Sequence, residues 1–141
     1  VVIDWFDDFH GAHPHDFLSN FAPSPITLGG WDFPTVEHAF QAAKTMFPRE
    51  FRMVHAAPDP GTAKTLGRKC QLPDDWEEIK YDVMRTCLRA KFKRGSRLAQ
   101  QLLDTGDAIL VEGTLWDDRV WGVDLTEDPR PGKNWLGTLL M

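Results

Sequence analysis

The stretch that most constrains this chain is Pro34-Thr35-Val36-Glu37-His38-Ala39-Phe40-Gln41-Ala42-Ala43-Lys44. It reads as the opening turns of a helix. Thr35 suits the N-cap, where a hydroxyl accepts a hydrogen bond from a backbone N–H one turn in, and Pro34 keeps the entry non-helical. Val36, Ala39, Phe40, Ala43, Met46 and Phe47 recur at helical spacing and form one apolar stripe. Glu37, Gln41 and Lys44 fall at i, i+4 and i+7 and share a different face. An acid, an amide and a base therefore line up, with the carboxylate in the first turn, where the helix dipole favours its ionised form. An amphipathic helix with Glu37 and Lys44 as solvated charges satisfies this pattern. So does a carboxylate held at the rim of a pocket, and the stretch alone does not separate the two.

A chain of 141 residues is long enough for one domain, 1–141, with a real core. A 42% hydrophobic and 26% charged composition is that of a soluble globular protein. The net charge of −5 excludes a global basic field that would draw it to nucleic acid, leaving only a local basic surface. No apolar run reaches membrane-spanning length, so no membrane partner is expected. Six tryptophans serve either as core filler or as platforms for flat ligands. Cys70 and Cys87 match no metal spacing, and two cysteines without a leader sequence fit a reducing, cytoplasmic compartment.

Taken in order, Val1 to Phe6 reads as a strand and Asp7 to Asp16 as a polar loop. His10, His13 and His15 invite a metal reading there, but their spacing matches no familiar site, and a polar loop is the reading adopted. In Phe17-Leu18-Ser19-Asn20-Phe21, Asn20 either closes a turn or offers its amide to a ligand. Ile26 to Phe33 around Gly29-Gly30 reads as a hairpin. Pro48 opens a helix to about Ala56, and Pro60 opens the next, to about Cys70. The longest helix runs from about Trp76 to Lys93, capped by Asp74 or Asp75, with Trp76, Ile79, Val83, Cys87 and Ala90 as its stripe and Met84, Leu88 and Phe92 beside it. Arg85, Arg89 and Lys93 step along another side as a solvated basic face or an anion-facing one. Leu98, Leu102 and Leu103 mark a further helix, Ala108 to Glu112 a strand, and Lys133 to Gly137 the start of the last helix.

No phosphate-binding glycine loop with its Lys, no dinucleotide fingerprint, no serine-hydrolase elbow and no zinc-protease motif is present. What remains is carboxylates, amides and tryptophans: Glu37, Glu112, Asp117, Asp118, Asn20, Asn134, Trp121 and Trp135. Such a set suits glycosidic hydrolysis, in which a carboxylate activates water and stabilises an oxocarbenium-like sugar while an aromatic holds a flat face.

Phe17-Leu18-Ser19-Asn20-Phe21, Pro34 to Ala42, Leu66-Gly67-Arg68, Lys91-Phe92, Leu110-Val111-Glu112, Asp118 with Trp121-Gly122, and Gly132-Lys133-Asn134 with Leu136-Gly137 occur in the order of the NADAR superfamily. The chain resembles that family over about residues 17–141. The family includes an N-glycosidase acting on riboflavin-pathway intermediates and enzymes that remove ADP-ribose from guanine. The resemblance implies a compact α+β fold, predominantly helical with a few short strands. It also implies a pocket for ribose linked to phosphate or ADP, and no metal or cofactor in the chemistry. By position, Glu37 looks like the family's catalytic carboxylate, and Asp118 either holds a ribose hydroxyl or shares the acid–base work. Asn20, Trp121, Gly122 and Asn134 look like pocket residues, and Lys44 and Arg68 like phosphate contacts. One departure stands at Val123-Asp124, where family members commonly carry a glycine.

The expected reaction is hydrolysis of a ribosyl C1–N bond. Its preferred substrate is ADP-ribosyl-guanine, as nucleoside or in single-stranded nucleic acid presented out of the stack. Arg85, Arg89, Lys91, Lys93 and Arg94 would supply local positive charge. A riboflavin-pathway ribosylamino-pyrimidine phosphate is the alternative substrate. A non-catalytic reader of ADP-ribose, or a helical interaction domain without a pocket, are the readings from other classes. His38 is a proton donor to the leaving base only if it faces the pocket; otherwise it is a core or surface histidine. Trp121 is either a core residue or a platform against the ribose or base.

Overall fold

The computed structural model describes residues 2–6, 13–114, 120–124 and 132–141. The α1 helix, Val36–Ala42, begins where Thr35 predicts: its Oγ1 accepts from the His38 backbone N–H at 3.1 Å. It is shorter than the apolar stripe suggests. At its end Lys44 and Thr45 tighten onto the Gln41 and Ala42 carbonyls, three residues back. Met46 and Phe47 consequently leave the helix and are 80% and 50% exposed. All seven residues of α1 are buried, Glu37, His38 and Gln41 included, so it is a core helix with no solvated face.

The chain divides into two compact units. Residues 23–91 build the unit around α1. A hairpin of β2 (Ile26–Leu28) and β3 (Trp31–Phe33) turns at Gly29 and Gly30, both at positive φ, the conformation such a two-residue turn demands. Helix α2 (Pro48–His55) starts with a proline, as does α3 (Pro60–Gly67), whose N-cap Asp59 accepts from Thr62 N–H at 2.7 Å. The α4 helix runs Trp76–Lys91. Its buried positions are Trp76 and Cys87 from the expected stripe, Met84 and Leu88 from beside it, and Lys91, with Ile79 and Val83 half-buried. Helices α2, α3 and α4 and strand β3 all pack on α1.

Residues 1–22 and 92–141 form the other unit. Its sheet is parallel, in the order β1 (Val2–Phe6), β4 (Ile109–Thr114), β5 (Val123–Asp124), so the central strand joins partners far apart in sequence. Helix α5 (Arg97–Leu103) is capped by Ser96, and α6 (Trp135–Leu140) packs on β4. These elements make the α+β, mainly helical fold expected from the motifs.

Asn134 carries the junction of β4 and α6. It sits at φ 50°, a left-handed position that asparagine tolerates. Its Nδ2 donates to the Leu110 carbonyl at 2.9 Å, and its Oδ1 accepts from Glu112 N–H at 3.1 Å. Those are the two backbone groups that a parallel neighbour opposite Val111 would use. The carboxamide thus continues the ladder that β5 begins at Gly113. Gly137 lets α6 close on it, because a Cβ there would overlap the Leu110 carbonyl and the Asn134 side chain.

Asn134→Ala should cost about 1–3 kcal/mol by stranding two buried backbone groups, and Gly137→Ala a similar amount, about 1–3 kcal/mol, by overpacking. Thermal unfolding checks both. A melting temperature within about 1 °C of wild type in either variant would contradict this junction.

Candidate active site

Glu37 lies in the first turn of α1 with 6% of its surface exposed, so the solvated-charge reading does not hold. One turn on, Gln41 Nε2 donates to Glu37 Oε1 at 2.7 Å. One turn beyond that, Lys44 lies within electrostatic reach of the carboxylate and places its Nζ 5.6 Å from the Phe40 ring centroid. Burial pushes the Lys44 ammonium below its ordinary pKa of 10.5. Glu37 opposes that shift, while Lys64 and Arg68, from α3 and its C-cap, add to it. Of the expected residues, Glu37 and Arg68 both act electrostatically on Lys44; Gln41, bonded to Glu37, and Lys64, acting on Lys44, were not foreseen there. Lys44 thus feels two further cations as well as the carboxylate, a positive local field that suits an anion.

Cys87, on α4, faces the same carboxylate. Burial, and then Glu37, push its thiol up to about 12, which keeps it neutral. Cys70 is likewise raised by burial, and both are free thiols. His38 is 1% exposed and belongs to the core. Its Nε2 bonds the Ala57 carbonyl at 3.0 Å, so that nitrogen carries the proton, and Nδ1 then accepts from Thr35 Oγ1 at 2.8 Å. The histidine is spent tying α1 to the end of α2, which removes it as a proton donor to a leaving group. The Ala39 and Ala43 side of α1 lines an apolar cavity of about 400 Å³ with Trp31, Phe51, Val83 and Cys87. It offers no acid–base group of its own beyond that neutral thiol.

The other unit holds Trp121, Gly122 and Asn134 together. Backbone N–H groups of Asn134, Trp135 and Leu136 donate to the carbonyls of Gly122, Val120 and Trp121. Trp121 is half-buried and meets Trp135 edge-on, with centroids 5.7 Å apart, and Lys133 Nζ lies 5.0 Å from the Trp135 ring. It is braced by a second indole but is not fully enclosed. Asn134 uses both ends of its amide on β4, as described above. Asn20 is buried, yet its turn is closed by Ser19, whose Oγ accepts from Phe21 N–H at 3.1 Å. Asp118 and His10 lie outside the described residues. Among the described residues, no three His, Cys, Asp or Glu side chains gather as a metal site.

Two details alter the expected basic surface of α4. Lys91 is 3% exposed and so does not contribute, and Arg85 pairs with Asp82 at 3.4 Å and lies over Tyr81. Among the described residues, no helix is long and apolar enough to cross a membrane.

Known proteins resemble this chain in sequence and in fold. The model of the NADAR domain matches residues 8–141. N-glycosidase YbiA of Escherichia coli (strain K12) is 41% identical over 126 residues, which is 88% of this chain and 76% of that protein. The riboflavin biosynthesis protein VVA0006 of Vibrio vulnificus (strain YJ016) is 40% identical over 129 residues, 90% of this chain and 34% of that longer protein. The NMR structure of the E. coli protein YbiA matches with a TM-score of 0.83 at 37% identity, covering 99% of this chain and 80% of that one.

Lys44→Met tests the electrostatics. The Lys44 pKa is lowered in the fold, so between that value and 10.5 the unfolded chain binds more protons, and this group's contribution to stability rises with pH across the window. At neutral pH the folded ammonium is a net cost. The variant should melt no lower than wild type at pH 7 and lose activity. A lowered melting temperature at pH 7 would contradict this balance.

Proposed function

The chain belongs to the NADAR family and hydrolyses N-glycosyl bonds; from that premise, we propose that Glu37 is its catalytic carboxylate and that its substrate is a ribosyl conjugate carrying phosphate. The observation that supports this reading is the buried Glu37 with Lys44 within electrostatic reach of it, Lys64 and Arg68 acting in turn on Lys44. A sugar phosphate supplies both complements at once: a C1 that develops positive charge for the carboxylate, and an anion for the cations.

In the proposed step the C1–N bond lengthens and positive charge spreads over C1 and the ring oxygen. Glu37 stabilises that charge and takes a proton from the attacking water. The water oxygen becomes the C1 hydroxyl, the bond pair leaves with the base, and the proton Glu37 took from the water passes to the base directly or through solvent, so Glu37 ends ionised. Asp118, Asn20, Trp121, Gly122 and Asn134 keep their family-implied roles as proposals, with Trp121 as the platform. For Asn134 the geometry supports holding β4 and α6. A cytoplasmic setting goes with this reading, since both thiols are free.

For the substrate, ADP-ribosyl-guanine, as nucleoside or in single strands, is the first reading, drawn from the motif resemblance. The second reading, a ribosylamino-pyrimidine phosphate, is favoured by the riboflavin biosynthesis name of the Vibrio vulnificus relative.

Glu37→Gln keeps shape and removes charge. It should lower turnover by about 100-fold or more while largely keeping ligand binding, and unchanged turnover would end the assignment. Competition between ADP-ribosylated single-stranded DNA and the pyrimidine ribotide decides the substrate: preferential release of guanine supports the first reading, and a marked preference for the ribotide replaces it with the second.

A further inference from the structure

Gln41 sits on the site face of α1 with no role in the chemistry above, and its surroundings are specific. It is 3% exposed, and its Nε2 donates to Glu37 Oε1 at 2.7 Å. A carboxylate only accepts, so this orients the amide with nitrogen toward Glu37 and oxygen away. That oxygen is buried and accepts no hydrogen bond from the described residues. It lies where a side chain on Gly67 would be: a Cβ built there would overlap Oε1, Cδ and Cβ of Gln41. Gly67 ends α3 without a positive φ, so its small size serves space, not backbone freedom.

We infer that Gln41, seated against Gly67, is a positioning residue that holds the Glu37 carboxylate in its ionised, reactive orientation. This rests on the catalytic reading of Glu37. A leucine or methionine would fill the same volume without burying an unbonded oxygen, which is unfavourable. What the carboxamide adds is the bond to Glu37, and a hydrogen bond to the charged form favours that form. Among the described residues, groups that act on or lie near Glu37 include Lys44 from its own helix, itself flanked by Lys64 and Arg68 from α3 and its C-cap, and the neutral Cys87 thiol from α4. Of these neighbours, Gln41 has a direct, short hydrogen bond to a carboxylate oxygen.

The test is the pH dependence of kcat and kcat/KM for Gln41→Leu and Gly67→Ala, with Glu37→Gln alongside, on whichever ribosyl conjugate the wild type cleaves. Gln41→Leu should lower kcat by about 10- to 100-fold with KM changed by no more than about threefold, and should move the acid limb of the profile to higher pH. Gly67→Ala should act in the same direction by displacing Gln41. In a Gln41→Ala background, where the space is empty, Gly67→Ala should cost no more than about twofold further. Gln41→Met carries the same expectation if Gln41→Leu does not fold. An acid limb left in place in the Leu or Met variant, beside an inactive Glu37→Gln, overturns the positioning role and leaves the catalytic assignment standing. Equal Gly67→Ala losses in both backgrounds overturn the seat. Normal turnover in Glu37→Gln removes the inference and the reading beneath it together.

Discussion

Burying Glu37 sets the terms for everything around α1. An ionised carboxylate taken out of water costs several kcal/mol unless charge and hydrogen bonds replace its solvent. Here the replacement is a carboxamide donor from Gln41 and an ammonium from Lys44. Each brings a cost of its own: an unbonded oxygen on Gln41, and a lysine crowded by Lys64 and Arg68. Fold stability alone does not call for such a set, and local rules are broken in this way where function needs them broken. The surrounding helices make it tolerable. Thr35 and His38 tie α1 to Ala57, and Gly67 lets α3 approach Gln41.

The unit built on β4 solves a different problem by similar means. Its parallel sheet has a two-residue third strand, and the Asn134 carboxamide supplies the bonds that strand does not reach. Gly132 and Gly137 then let backbone meet backbone, since a Cβ at either would strike a carbonyl of Gly122 or Leu110. The motif residues between Gly132 and Gly137 therefore have a packing explanation, which is separate from any contact with substrate.

Local chemistry was legible in the sequence because it acts over one turn. The Thr35 cap, the Gly29-Gly30 turn, the prolines opening α2 and α3 and the β1 and β4 strands all stand where propensity puts them. Burial was less legible. Periodicity marks an apolar face, but it does not show that α2, α3, α4 and β3 together close over the polar one, so Glu37 and His38 looked like surface or ambiguous positions. On α4, Lys91 is drawn inside for the same reason. Gly67 and Lys64 acquire meaning only from α3 lying against α1, a contact with no signature in either segment alone. The i, i+4 spacing of Glu37 and Gln41 was the one advance signal of that pair.

In the proposed hydrolysis a water oxygen is delivered to C1 of a ribosyl conjugate. Mass spectrometry of the wild-type reaction run in H₂¹⁸O reads this directly. One heavy oxygen is expected on the C1 hydroxyl of the released sugar phosphate, acquired faster than the free sugar phosphate exchanges its C1 oxygen in the same buffer, and none in the freed base. Heavy oxygen on phosphate, marking attack at phosphorus, or an intact C1–N bond in the product would contradict it.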